Sequence, residues 1–208
     1  MSTQSSSSTK PRSSAPTTSS AQQPAAKPHT KIHSLALIAD RALLTGPHTI
    51  TIAASATIHP HARLHAATTN ITIGEHATVC ENAIVGSATP NRTSAEAEGE
   101  TILGPGVLIS SSASVASGAR IGDYSTLSAH ARVGAGAVVG KWCKICPSCG
   151  VLDGEVVEDF TAVMAQGRRV DWGAREREEV RAARMRGRVG EGEGVRGLVA
   201  DGGAKWRG

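Results

Sequence analysis

Ile109, Val115, Ile121, Leu127, Val133, Val139, Ile145, Val151, Val157 and Val163 stand six residues apart without a miss, and Leu103 extends the series one step back. If about half of all positions were apolar, ten successive hits would arise by chance about once in a thousand. A six-residue aliphatic period belongs to the parallel β-helix, in which each short strand gives one large side chain to a shared interior. The stride therefore predicts an all-β chain wound as a single-stranded parallel β-helix.

The earlier half of the chain keeps the same step with interruptions. Ile38 and Leu44 begin it, two residues are gained before Ile52, Ile58 and Leu64, and a small bulge at 66–71 resets it to Ile73, Val79 and Val85. Four residues after most of these aliphatics comes a small one, as at Ala56, Ala77, Ala113, Ala131 and Cys149, where the chain must turn while staying packed. Glycine often follows the aliphatic directly, as at Gly74, Gly104, Gly122 and Gly140, which suits close backbone approach at a corner. Residues 86–101 are polar and acidic and break the pattern, so they are expected to form a loop thrown outward from one corner. Three strands to a turn give six or seven coils, a prism roughly 30 Å tall.

The flanks read differently. Residues 1–31, rich in Ser, Thr, Pro, Ala and Gln and free of acids, form a leader expected to be disordered. The β-helix is expected over 32–166. From 170 to 188 the chain is rich in helix formers, with Arg175 and Glu179, and Glu178 and Arg181, at ion-pair spacing, so a short C-terminal α-helix is predicted there. Residues 189–208, glycine-rich, are expected to be a flexible tail. The net charge of +4 is modest, and the eight arginines of 167–188 carry no interleaved aromatics, which argues against nucleic acid. No apolar run is long enough to span a membrane or serve as a secretory signal, and four cysteines without such a signal imply reduced thiols in the cytoplasm.

The stride and its small-residue echo resemble the hexapeptide-repeat, left-handed β-helix family, and the handedness is taken from that resemblance. Two phrases, ITIAASATIHPHARL at 50–64 and NITIGEHATVCENAIV at 70–85, resemble more closely the dynactin subunit 6 branch of that family, as do the position of the acidic loop and AQGRRV at 165–170. The likeness spans roughly residues 36–180. It implies a non-enzymatic scaffold of the dynactin pointed-end complex, supporting dynein-driven, microtubule-based cargo transport from the cytoplasm and cytoskeleton. The implied partners are dynactin subunit 5, the pointed-end actin-related protein and the large zinc-binding pointed-end subunit, joined in a hetero-oligomer. No catalytic, cofactor-binding or metal residue is implied.

Two enzyme classes share the fold and supply alternatives. The γ-class carbonic anhydrases hold zinc with three histidines at subunit interfaces, but no two histidines here have the five-residue separation of that class; the neighbouring ones are His59, His61 and His65. Hexapeptide acyltransferases are homotrimers that use a histidine as general base, and His76 and His130 stand in mid-hexad, where a side chain projects outward. The acids nearest to them in sequence are Glu75 and Asp123. Cys143, Cys146 and Cys149 mimic a zinc spacing, but their register sends the three sulfurs apart, and Cys80 is distant.

Overall fold

The computed structural model describes residues 28–87, 99–196 and 201–207. The leader up to residue 27, the tip of the acidic loop at 88–98 and residues 197–200 and 208 lie outside them, so the expectations for those stretches are not met or missed here. What the described chain forms is a left-handed parallel β-helix of about six turns with a helical C-terminal extension.

Three parallel sheets make the walls. The first face stacks seven strands from Thr30–Ile32 up to Val156–Val157. The second begins at Leu37–Ile38 and carries eight, and the third holds six, from Leu43–Thr45 to Gly150–Val151. Register follows from the stride: Ile38 lies beside Ile58, then Val79, Ile109, Leu127, Ile145 and Val163 along one inward column. Every member of the ten-residue series is buried, because period two within a two- or three-residue strand leaves room for one inward side chain. The small echo residues Ala56, Ala77, Ala113 and Ala131 are also fully buried, filling the corners of a triangular interior too narrow for rings.

Corners are closed by left-handed residues. Ser55, His61, His76, Asn82, Ser112, Tyr124, His130, Trp142, Ser148 and Phe160 all have φ between 54° and 61°. Such backbone costs about 1–2 kcal/mol per non-glycine residue, offset by the interstrand hydrogen bonds that each corner preserves. Gly122 shows how tightly coils stack there: a Cβ on it would lie 2.6 Å from the backbone carbon of Gly140.

Both prism ends would expose unpaired backbone and apolar interior, and the chain covers both. At the upper end, the strand Gly167–Val170 folds back antiparallel on Thr161–Met164. Arg168 then reaches across to the first face, donating to the Val156 carbonyl and pairing with the Glu155 carboxylate. The chain next enters helices α1 (Trp172–Glu176) and α2 (Glu178–Arg196). Asp171 caps α1 by accepting from the Ala174 N–H and pairs with Arg184 of α2 at 2.7 Å. Burial acts to raise the Asp171 pKa, but these donors outweigh it and hold it below the usual carboxylate value.

The C-terminal stretch differs from the sequence expectation. The helix does not end at 188 but runs on to Arg196 in spite of Gly187, Gly190, Gly192 and Gly194. Nineteen residues rise about 28 Å, close to the height of the prism, so α2 returns the chain from the last coil to the first. Arg188 bonds Thr126 on the second face, and the outward Thr57 and Thr78 of that face are buried. Beyond it, Asp201 bridges to Ala39 and accepts from the Gly203 N–H at 2.8 Å, Gly202 donates to the Ile38 carbonyl, and Arg207 donates to the Ala36 carbonyl. Trp206 packs on the interior cluster and its carbonyl accepts from Thr30. Composition hid this because a few specific contacts, not helix propensity, hold the segment. Replacing Trp206 with alanine is expected to cost about 2–3 kcal/mol, less than for a fully buried ring because the side chain is half-exposed, as read from urea unfolding.

Candidate functional site

Each corner of the prism forms a vertical column, one residue per coil, about 4.8 Å apart. Between the first and second faces run Ser55, His76, Gly106, Tyr124, Trp142 and Phe160, tied together by bonds such as His76 N–H to Ala54 carbonyl and Tyr124 N–H to Pro105 carbonyl. Between the second and third faces run His61, Asn82, Ser112, His130 and Ser148. The two mid-hexad histidines thus stand on different corners and different coils. They cannot act together within one copy.

His130 is exposed, with serine below it at Ser112 and above it at Ser148, and its ring has no hydrogen-bond partner among the described residues. Ser110, Ser111 and Ser128 add further hydroxyls around the same corner. The left-handed backbone throws the imidazole away from the wall. His76 is half-buried, with Gly106 above it, and the ring of Tyr124 fills the space that a Gly106 side chain would take, 2.4 Å from an ideal Cβ.

Neither acid orients a histidine. Asp123 belongs to the first corner, where it pairs with Lys141 at 2.8 Å, the bond that raises the Lys141 pKa, so it is on the wrong edge for His130. Glu75 precedes His76 at the corner, and its carbonyl accepts the Gly106 N–H.

The histidines weighed as zinc ligands diverge. His59 ends a second-face strand half-buried, and burial lowers its pKa while Glu81 acts in the opposite direction. His61 is an exposed corner residue, and His65 on the third face meets Thr45 Oγ1 at 2.7 Å. The cysteines differ in burial, with Cys80, Cys146 and Cys149 only partly covered. Cys143 is buried, donates its thiol to the Glu158 carbonyl at 3.0 Å and has its pKa raised by burial, so it is a protonated packing residue. Among the described residues no three His, Cys, Asp or Glu side chains lie together where they could hold a metal ion.

One feature of the first corner escaped the sequence reading. Tyr124 and Trp142 stack with ring centroids 4.6 Å apart and planes 16° from parallel, and Phe160 continues the column. The signal was available: three of the chain's five aromatics sit 18 residues apart, which is one full coil.

The fold is shared with bacterial transferases. A hexapeptide transferase family protein from Anaplasma phagocytophilum superposes with a TM-score of 0.63 at 18% identity, over 80% of this chain and 95% of that one. A Bacillus cereus protein described as an acetyltransferase gives a TM-score of 0.52 at 21% identity, over 82% of this chain and 96% of its own. A UDP-N-acetylglucosamine acyltransferase from Campylobacter jejuni follows with a TM-score of 0.36 at 17% identity, covering 74% and 81% of the two chains. At these identities the likeness is one of fold. No family model and no curated protein matches the sequence.

These neighbours overturn the dynactin expectation. The non-enzymatic scaffold, the partnership with dynactin subunit 5, the pointed-end actin-related protein and the zinc-binding subunit, and the cytoskeletal setting all rested on phrases that the coil itself explains. In ITIAASATIHPHARL, Ile52, Ile58 and Leu64 are inward residues, Ala56 and Ala62 fill corners, and Pro60 and His61 make a left-handed turn. Such a phrase specifies a coil, not a partner. No described helix is long and apolar enough to cross a membrane.

Proposed function

We propose that this chain is a hexapeptide-repeat acyltransferase that moves an acyl group from a coenzyme A thioester to an amine or hydroxyl acceptor. His130 would be the general base, taking the acceptor proton as the acceptor attacks the thioester carbonyl. The departing thiolate leaves with the coenzyme and is reprotonated. The observation that carries this reading is the exposed imidazole, without a partner among the described residues, on a hydroxyl-lined corner of a prism whose fold a hexapeptide transferase shares. Asp123 and Glu75 are not placed to orient the ring, and in a homotrimer with each site between prisms a neighbouring copy would do so. The helix α2 contacts the second face at Thr126, while outward residues of the other two faces, such as Arg120 and Val138 on the first and Arg63 and Arg132 on the third, are exposed. Leu152, Val156 and Val138 stand exposed toward the upper end.

The test pairs sedimentation velocity with thiol release from acetyl-coenzyme A across a panel of amino and hydroxyl acceptors. A trimer that turns over thioester in an acceptor-dependent manner is expected. A monomer with no turnover on any acceptor would remove the assignment.

A further inference from the structure

We infer that the strand Gly167–Val170 is a docking edge for an extended acidic segment of another protein, which would add to the second face as one more strand. This surface is independent of acyl transfer.

The strand is the outermost of the second sheet, paired on one side only, and all four of its residues are exposed. Its free edge follows from register. Met164 lies opposite Gly167 across a two-residue turn, Ala162 opposite Arg169, and the Asp171 N–H reaches the Phe160 carbonyl. Antiparallel bonding alternates, so Gly167, Arg169 and Asp171 face inward along the ladder while Arg168 and Val170 turn their N–H and C=O groups outward. Neither has a backbone partner on that side among the described residues. Two donors and two acceptors aligned along an open edge are a template for strand addition.

Side chains define the guest. Arg169 shares the outer face with Ala162 and, one strand further, Lys144, which makes that face basic. Arg168 and Val170 lie on the other side, where Val170 is 40% exposed, and the adjoining groove is lined by Val156, 60% exposed, with Thr161, Glu158 and the edge of Arg169. A segment with acids at alternate positions and aliphatics between them would set its carboxylates toward Arg169 and its apolar side chains toward Val170 and Val156. A second copy of this strand is disfavoured. Antiparallel self-pairing of GRRV with Arg168 opposite Val170 would bring the Arg169 side chains of both copies face to face.

The probe is a fluorescein-labelled hexapeptide alternating glutamate and valine, titrated into the full chain by anisotropy, with a lysine–valine peptide as the comparison. Saturable binding of the acidic peptide alone is expected. Amide exchange should show new protection at Arg168 and Val170 and no change at Arg169, already bonded to Ala162. Val170→Pro, which removes an outward donor without breaking the hairpin ladder, should weaken binding about fivefold or more. Arg169→Glu leaves the backbone intact and should weaken the acidic peptide about tenfold while admitting the lysine peptide. Equal binding of both peptides by the native chain, or binding that protects neither amide, would overturn the assignment. Concentration-dependent self-association that protects those two amides would also overturn it, by making the occupant another copy.

Discussion

Substituting His130 with asparagine is expected to lower acyl transfer by about 10²- to 10⁴-fold, the range spanned by loss of a general base. Asparagine is the discriminating choice. It accepts a left-handed backbone at little cost, as Asn82 does in the same column, whereas alanine would add corner strain to the loss of the imidazole. Because His130 is exposed and bonds no described side chain, thermal unfolding and sedimentation of the variant should match the parent, so a fall in kcat reports chemistry. His76→Asn serves as the control. That histidine lies on the other corner, and its replacement should leave turnover within a factor of two or so, since a residue outside the site contributes only to packing. Full activity in His130→Asn together with loss in His76→Asn would transfer the base to the first corner.

A second large effect is expected inside the prism. Leu127→Ala should destabilise the fold by about 3–5 kcal/mol, the upper part of the range for emptying a buried leucine. The reason lies in the stacking. Leu127 is fully buried between Ile109 below and Ile145 above, and each neighbour is held at coil spacing by interstrand hydrogen bonds. Neither can slide into the void without breaking its own ladder, so the cavity stays open and the lost contacts are not recovered. Guanidinium unfolding of Leu127→Ala beside Leu152→Ala gives the contrast. Leu152 is 75% exposed, and its truncation should change stability by well under 1 kcal/mol in the isolated chain.

Much of the architecture was legible because a β-helix repeats one local decision. The stride fixed which residue of each hexad turned inward, the small echo marked the corners, and both were read correctly from Leu103 to Val163. The site was legible only in part. Mid-hexad placement correctly sent His76 and His130 outward, but spacing offered Asp123 as a partner acid when it belongs to the opposite corner and binds Lys141. Assigning a corner requires counting hexads modulo three after setting aside the inserted loop, and 76 and 130 fall on different edges once that count is made. The same count exposes the Tyr124–Trp142 stack. The functional inference from phrases failed for a related reason: nearly every residue in them answers to the packing of a coil, leaving little to distinguish one hexapeptide-repeat protein from another.

The sequence by itself determined the repeating core, since an interior one side chain wide per strand can be written in a six-residue alphabet of aliphatic, corner and turn residues. Only the tertiary structure decided how that core ends. Arg168 roofing the last coil, and Asp201, Trp206 and Arg207 closing the first from more than 160 positions away, depend on the length of α2 matching the height of the prism. Those contacts have no periodicity to announce them, because each is made once, by residues brought together by geometry rather than by spacing along the chain.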